Sequence, residues 1–154
     1  MALSFSSGLF NKGEGIINTG KQQVLSIPPS AFFPASGNPN FISTIGSITL
    51  STDLEYDLFV WINLPNKASI TSVTVWGNFE ASNNDYNIFK IDHAGNATDL
   101  KFAPGTAMSI GGTINDIDEI VDNLNYSYCI RVNQSWDIAD PAWKLYGATV
   151  IYQI

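Results

Sequence analysis

Ser72-Val73-Thr74-Val75-Trp76-Gly77-Asn78-Phe79 alternates apolar and polar residues with a period of two. Successive side chains of an extended strand point to opposite faces, so Val73, Val75 and Phe79 share one face. Ser72, Thr74 and Asn78 take the other face, and Trp76 falls among them. The same pattern recurs from Tyr126 to Asn133, where Tyr126, Tyr128, Ile130 and Val132 oppose Ser127, Cys129, Arg131 and Asn133. Each segment reads as a half-buried strand. Working outward, Gln22–Ile27, Ser47–Ser51, Tyr56–Ile62, Tyr86–Asp92, Leu100–Phe102, Met108–Thr113 and Lys144–Gln153 carry similar signals. Turn material such as Leu64-Pro65-Asn66-Lys67, Ala81-Ser82-Asn83-Asn84-Asp85 and His93-Ala94-Gly95-Asn96 separates them. Short strands at this spacing predict an all-β sandwich or barrel of about eight to ten strands. The one helical candidate, Asn115–Leu124, places Ile117, Ile120, Val121 and Leu124 at near-helical spacing but is rich in Asp and β-branched residues, so it reads as one or two turns at most.

At 154 residues the chain has the length of one domain with one core. Its composition sets further bounds. Charged residues make up 14% of the chain, well below the ~25% usual for soluble domains, and Asn, Ser, Thr and Gly supply the polar cover. Such a surface suits a protein partly covered by neighbours or placed on the outside of a cell or particle. A formal charge of −7, with Lys12, Lys21, Lys67, Lys90, Lys101, Arg131 and Lys144 scattered, disfavours nucleic acid as a partner. No apolar run reaches the ~18 residues of a membrane-spanning helix. Cys129 is the single cysteine, which excludes an intrachain disulfide. The opening Met1–Phe10 lacks a basic region followed by an uninterrupted apolar run, so a Sec-type leader is not expected. Residues 1–20 read as an N-terminal arm and residues 21–154 as the domain, with Pro28–Asn40 as irregular loop.

Two segments are apolar on both faces. Tyr56, Leu58, Val60 and Ile62 line one side of their strand while Phe59 and Trp61 stand on the other. In Lys144–Ile154, Tyr146, Ala148, Val150, Tyr152 and Ile154 alternate with Leu145, Gly147, Thr149 and Ile151. An antiparallel sheet commonly leaves one face to solvent, so these strands need a second cover. The amino-terminal arm, loops of the same chain or a second subunit would each supply it, and the low surface charge points towards the subunit.

Catalytic groupings are scarce. His93 is the single histidine and lies in a turn; Cys129 lies mid-strand with no base beside it; no Gly-x-Ser-x-Gly elbow occurs. Gly105–Gly112 has no phosphate-loop lysine. No enzyme activity and no cofactor are expected. Asp116, Asp118, Glu119 and Asp122 form an acidic stretch without the spacing of an EF-hand, read as a solvated loop with calcium as the lesser alternative. Asn96-Ala97-Thr98, Asn125-Tyr126-Ser127 and Asn133-Gln134-Ser135 match the N-glycosylation acceptor pattern. Trp76, Trp136 and Trp143 are candidates for stacking on sugar rings, because an indole presents an apolar plate beside polar groups.

Leu64–Gly77, Val121–Tyr128 and Lys144–Tyr152, with Ile27-Pro28-Pro29-Ser30-Ala31-Phe32-Phe33-Pro34 as an opening, resemble jelly-roll domains of bacterial surface proteins and bacteriophage particles. The closing strand is similar to the last strand of tumour-necrosis-factor-like and C1q-like trimers. That resemblance implies a single jelly-roll β-sandwich with Tyr146, Gly147, Val150 and Tyr152 near an oligomer seam. Together with Phe59 and Trp61 they define one expected self-association face. The resulting expectation is a structural virion protein, such as a minor capsid, spike or fibre-head subunit. It would be trimeric, its arm contacting other particle proteins. The alternative is an extracellular or cell-surface carbohydrate-binding module, or a receptor-binding head, that grips a host glycan through Trp76, Trp136 and Trp143.

Overall fold

The computed structural model describes residues 20–35, 41–44, 46–50, 56–78, 84–103, 112–134 and 144–154. Eleven strands run through them: β1 Gln22–Ile27, β2 Phe33–Pro34, β3 Phe41–Thr44, β4 Ser47–Leu50, β5 Tyr56–Ile62, β6 Ser69–Asn78, β7 Asn84–Asp92, β8 Ala97–Ala103, β9 Gly112–Ile120, β10 Tyr126–Gln134 and β11 Lys144–Gln153. A short 3₁₀ turn at Pro29–Ala31 joins β1 to β2. One sheet has the order β3-β4-β11-β6-β9, with β1 also paired to β11; the other has the order β2-β5-β10-β7-β8. All pairings are antiparallel. The chain is a jelly-roll β-sandwich.

The core lies between the sheets. Leu58, Val60 and Ile62 of β5, Ile88 of β7, and Tyr128, Ile130 and Val132 of β10 face inward from one side. Ile70, Val73 and Val75 of β6, Ile114 of β9, and Leu145, Ala148 and Val150 of β11 meet them from the other. The alternation predicted for β6 and β10 is therefore present over the described residues, Phe79 lying outside them, and Trp76 does sit on the polar face. At one end of the sandwich Lys90 of β7 reaches Glu119 of β9 at 3.0 Å, a bond between sheets that raises the lysine's pKa. The Lys90 ammonium also lies 4.9 Å from the Tyr126 ring centroid.

Two expectations fail, each for a local reason. Asn115–Leu124 is not helical: β9 continues to Ile120 and a turn follows at 123–125. Ser72 pairs with Asn115 and Ile70 with Glu119, so Asp116, Ile117 and Asp118 stand opposite the single residue Thr71. This bulge, with Asp116 and Asp118 at φ near +54° and +52°, produces the apparent helical spacing of Ile117, Ile120 and Val121. The second failure is in β11. A register shift between Leu145 and Gly147 resets the alternation, so Tyr146 points outward while Ala148 and Val150 point into the core.

Gly147 makes that shift workable. Its φ of +129° lies where side-chain-bearing residues are strained, and a Cβ there would run into the Ile27 carbonyl oxygen. The same position lets β1 close over β11, since Ile27 pairs with the adjacent Ala148. Gly147→Ala is accordingly expected to lower unfolding free energy by at least the ~1–3 kcal/mol of the backbone strain alone, read by chemical denaturation. A variant as stable as the parent would show that the backbone at this position is not constrained.

Candidate functional site

The outward positions of the β2-β5-β10-β7-β8 sheet carry an unusual mixture. Inward packing of Leu58, Val60 and Ile62 turns Asp57, Phe59 and Trp61 outward, and inward packing of Ile130 and Val132 does the same for Cys129, Arg131 and Asn133. Register then sets the neighbours. Phe59 lies between Phe33 of β2 and Arg131 of β10, Arg131 is followed across the sheet by Asn87, and Trp61 lies beside Cys129, which is followed by Phe89. The Phe33 and Phe59 rings are 6.4 Å apart, centroid to centroid, and tilted by 31°. Phe33 is 40% exposed and Trp61 54%, so the strip Phe33–Phe59–Trp61 offers ring surface to solvent.

Beside this strip runs a polar row. The Oδ1 of Asp57 accepts from Nε of Arg131 and from Nδ2 of Asn133, both at 2.7 Å. Asn87 donates through Nδ2 to Oδ1 of Asp99 at 2.9 Å. Asn87 and Asn133 are only 4% and 5% exposed, although both are on the side of the sheet away from the core. The Arg131–Asp57 pair is about one-third exposed at each partner, where an ion pair stabilises by roughly 0–1 kcal/mol. Its effect is mainly to hold a donor and an acceptor in fixed positions next to the rings. Cys129, between Trp61 and Phe89 in register, is 1% exposed, and burial pushes its thiol up to about 12.

At the end of β5 the strip meets a groove of about 320 Å³ lined by Trp61, Ile62, Asn63, Asn123, Tyr126, Ser127 and Tyr128. Hydrogen bonds brace its walls. Asn123 donates from its backbone to Oδ1 of Asn66 at 3.1 Å and from Nδ2 to the Leu64 carbonyl at 2.8 Å. Lys67 N–H reaches the Val121 carbonyl at 2.7 Å, and Val121 N–H reaches that of Ala68 at 2.8 Å. The Tyr128 hydroxyl accepts from Asp122 N–H at 2.9 Å.

The residues expected to form one self-association face are divided between the sheets. Phe59 and Trp61 are outward on one sheet, while Tyr146 is exposed on the other. Gly147 is buried against Ile27, Val150 is fully enclosed in the core, and Tyr152 packs against the core's margin. The bulge before Gly147 removes Gly147 and Val150 from any outer surface. Trp76 is exposed on the β11-β6 face and donates through Nε1 to Oγ1 of Thr149 at 2.8 Å, beside a Thr74–Thr113 hydroxyl contact of 2.9 Å. Trp136 and Trp143 lie outside the described residues, as do residues 1–19 of the expected arm.

The acidic stretch is likewise dispersed. Asp116 and Asp118 are exposed, Glu119 binds Lys90, and Asp122 accepts from Leu124 N–H at 3.1 Å and from Asn125 Nδ2 at 2.6 Å. Among the described residues no three His, Cys, Asp or Glu side chains converge on a metal position. His93 is exposed in its turn, where Asn96 holds the Asp92 carboxyl below its ordinary pKa. Reading the sequence alone missed Phe33, Asp57, Asn87 and Asp99 and gave Arg131 no role. The visible signal was the outward set Asp57-x-Phe59-x-Trp61, with charge and aromatic rings on one strand face.

No protein-family model matches this chain, and no curated protein matches it. Solved structures do resemble it. A low-affinity xylan-binding module of Roseburia intestinalis aligns with a TM-score of 0.52 at 13% identity, over 87% of this chain and 96% of that one. A family 32 carbohydrate-binding module from C. perfringens NanJ, solved with galactose, aligns with a TM-score of 0.49 at 14% identity, over 84% of this chain and 99% of that one. An infectious bursal disease virus structure gives 0.35 at 14%, over 97% of this chain and 36% of that one. At these identities the likeness is one of fold, and the first alignment carries it.

Burial of Cys129 has a direct readout. Because burial favours the neutral thiol, alkylation by iodoacetamide should stay slow in the native chain between pH 7 and 9 and become complete in denaturant. Rapid native labelling that climbs through pH 8.5 would contradict the burial of this sheet position.

Proposed function

We propose that this chain is a non-catalytic carbohydrate-binding module whose site is the outward face of the β2-β5-β10-β7-β8 sheet. The single observation that carries this reading is the strip Phe33–Phe59–Trp61 lying beside the Asp57–Arg131–Asn133 cluster. A sugar ring has an apolar C–H face and a rim of hydroxyls that both donate and accept. Ring plates answer the first and fixed polar side chains the second. Asp57 and Arg131 neutralise one another, so the cluster suits adjacent neutral hydroxyls, one donating to the carboxylate and one accepting from the guanidinium. The net charge of −7 disfavours anionic polymers. An open sheet face with partly exposed partners favours modest affinity.

The neighbour whose alignment carries the likeness of fold supports the same reading, since it is a xylan-binding module. Assembly into a particle asked for one apolar face made of Phe59, Trp61, Tyr146, Gly147, Val150 and Tyr152. With two of the six inside the protomer and the exposed ones on different sheets, binding is the better supported use of Phe59 and Trp61. The chain would then act outside a cell or at a cell surface, in place of the virion role.

Isothermal titration with soluble neutral oligosaccharides, chosen from a glycan array, tests this. Trp61→Ala should weaken binding about tenfold or more, because losing even a third of the ~150–250 Å² an aromatic ring buries at ~25 cal/mol per Å² approaches the ~1.4 kcal/mol of a tenfold change. Trp76→Ala should leave affinity unchanged. An array with no neutral glycan bound, or full affinity in Trp61→Ala, would defeat the proposal.

A further inference from the structure

Trp61 belongs to both the ring strip and the groove at the end of β5. We infer that this groove is a terminal subsite, which holds the end residue of a neutral sugar chain whose following residues lie along Phe59 and Phe33. The inference rests on the reading of the sheet face as a glycan site and adds to it a direction and a preference for chain ends.

The chemistry of the lining points to a sugar. Its lining residues are Trp, Ile, Asn, Asn, Tyr, Ser and Tyr, with no acidic and no basic residue among them. The charges that touch the lining, Lys90 against the Tyr126 ring and Glu119 at the Tyr128 hydroxyl, are paired with one another. Amides and hydroxyls both donate and accept, which matches a polyol. The Ile62 and Tyr128 side chains turn into the core, while Trp61, Asn63, Asn123 and Ser127 are exposed. One aromatic plate beside three exposed polar side chains fits one ring stacked by its C–H face.

Size and rigidity argue for an end rather than a passage. At about 320 Å³ the groove lies at the bottom of the ~300–1,000 Å³ range of small-molecule sites, which suits one ring. It lies where β5 stops, with Asn63 just after that strand and Asn123 in the turn leading into β10. Four backbone and side-chain hydrogen bonds tie those two turns together through Leu64, Asn66, Lys67 and Ala68. Such a braced wall is formed before any ligand arrives, which limits the ordering cost of binding. In the other direction Phe59 follows two residues back along β5, about 6.6 Å at ~3.3 Å per residue, and Phe33 lies beside it.

The test uses the full chain with xylotetraose and β-1,4-galactotetraose as short probes, and high-mass xylan and galactan as polymers with few ends. Ser127→Leu and Asn63→Leu fill the groove from exposed positions without touching Phe33, Phe59 or Arg131. Thermal melts confirm that each is folded, and either one suffices if the other is disturbed. The expected result is that both variants lose tenfold or more in affinity for the tetrasaccharides. Their retention on the polymers should change much less, and Phe59→Ala should weaken both kinds of ligand. Unchanged tetrasaccharide affinity in folded groove variants, with Phe59→Ala still impaired, overturns the terminal subsite and leaves the sheet-face reading standing. Equal losses for tetrasaccharides and polymers also overturn the preference for ends. Failure of the parent chain to bind any of the four probes or any glycan on the array overturns both.

Discussion

The constraint on which this structure depends is the pairing of β5 with β10 while both bury every second side chain. Once Leu58, Val60 and Ile62 meet Val132, Ile130 and Tyr128 across the sheet and Val73, Val75 and Val150 across the core, the outward set on both strands is decided. A slip of one residue would bring Asp57 and Arg131 inside, where an unsatisfied charge costs several kcal/mol. Core packing and the composition of the outer face are thus two sides of one register. Rings and polar groups sit together outside because greasier residues with the right parity occupy the inside.

That register explains what was readable in the sequence and what was not. The strands β5, β6 and β10 declare themselves by strict alternation, and the assignment of Arg131 and Asn133 to the non-core face holds. What alternation cannot supply is partners. Asp57 lies 74 positions from Arg131 and 76 from Asn133, and nothing local says that they meet. Phe33 looked like part of a loop because its strand is two residues long. Segments with an extra residue misled in a consistent manner. In β9 the residues Asp116–Asp118 imitate a helical period, and in β11 the irregularity at Tyr146 exchanges the expected faces. Both depend on backbone angles that a hydrophobic pattern does not encode.

The two outer faces of the sandwich differ in kind. On the β11-β6-β9 side, Thr74, Thr113 and Thr149 form a rank of hydroxyls with Trp76 tethered at its edge. Among the described residues that surface exposes Trp76, whose N–H is already engaged, and Tyr146 on the neighbouring strand. The opposite side has several rings in sequence and a neutralised ion pair held by an amide. The jelly-roll scaffold is indifferent to this choice, since either sheet can be decorated without altering the core. The proposed glycan site therefore rests on the parity of a few strand residues rather than on the architecture.

The turn between β9 and β10 carries a practical consequence. Asn125 is exposed there, and with Tyr126 and Ser127 it completes an acceptor sequence for oligosaccharyl transfer. Ser127 and Tyr126 are themselves walls of the groove. A host whose secretory route decorates this asparagine would plant a branched tree beside the cavity, so material from such cells and material from bacteria would be chemically different proteins in the region of the proposed subsite.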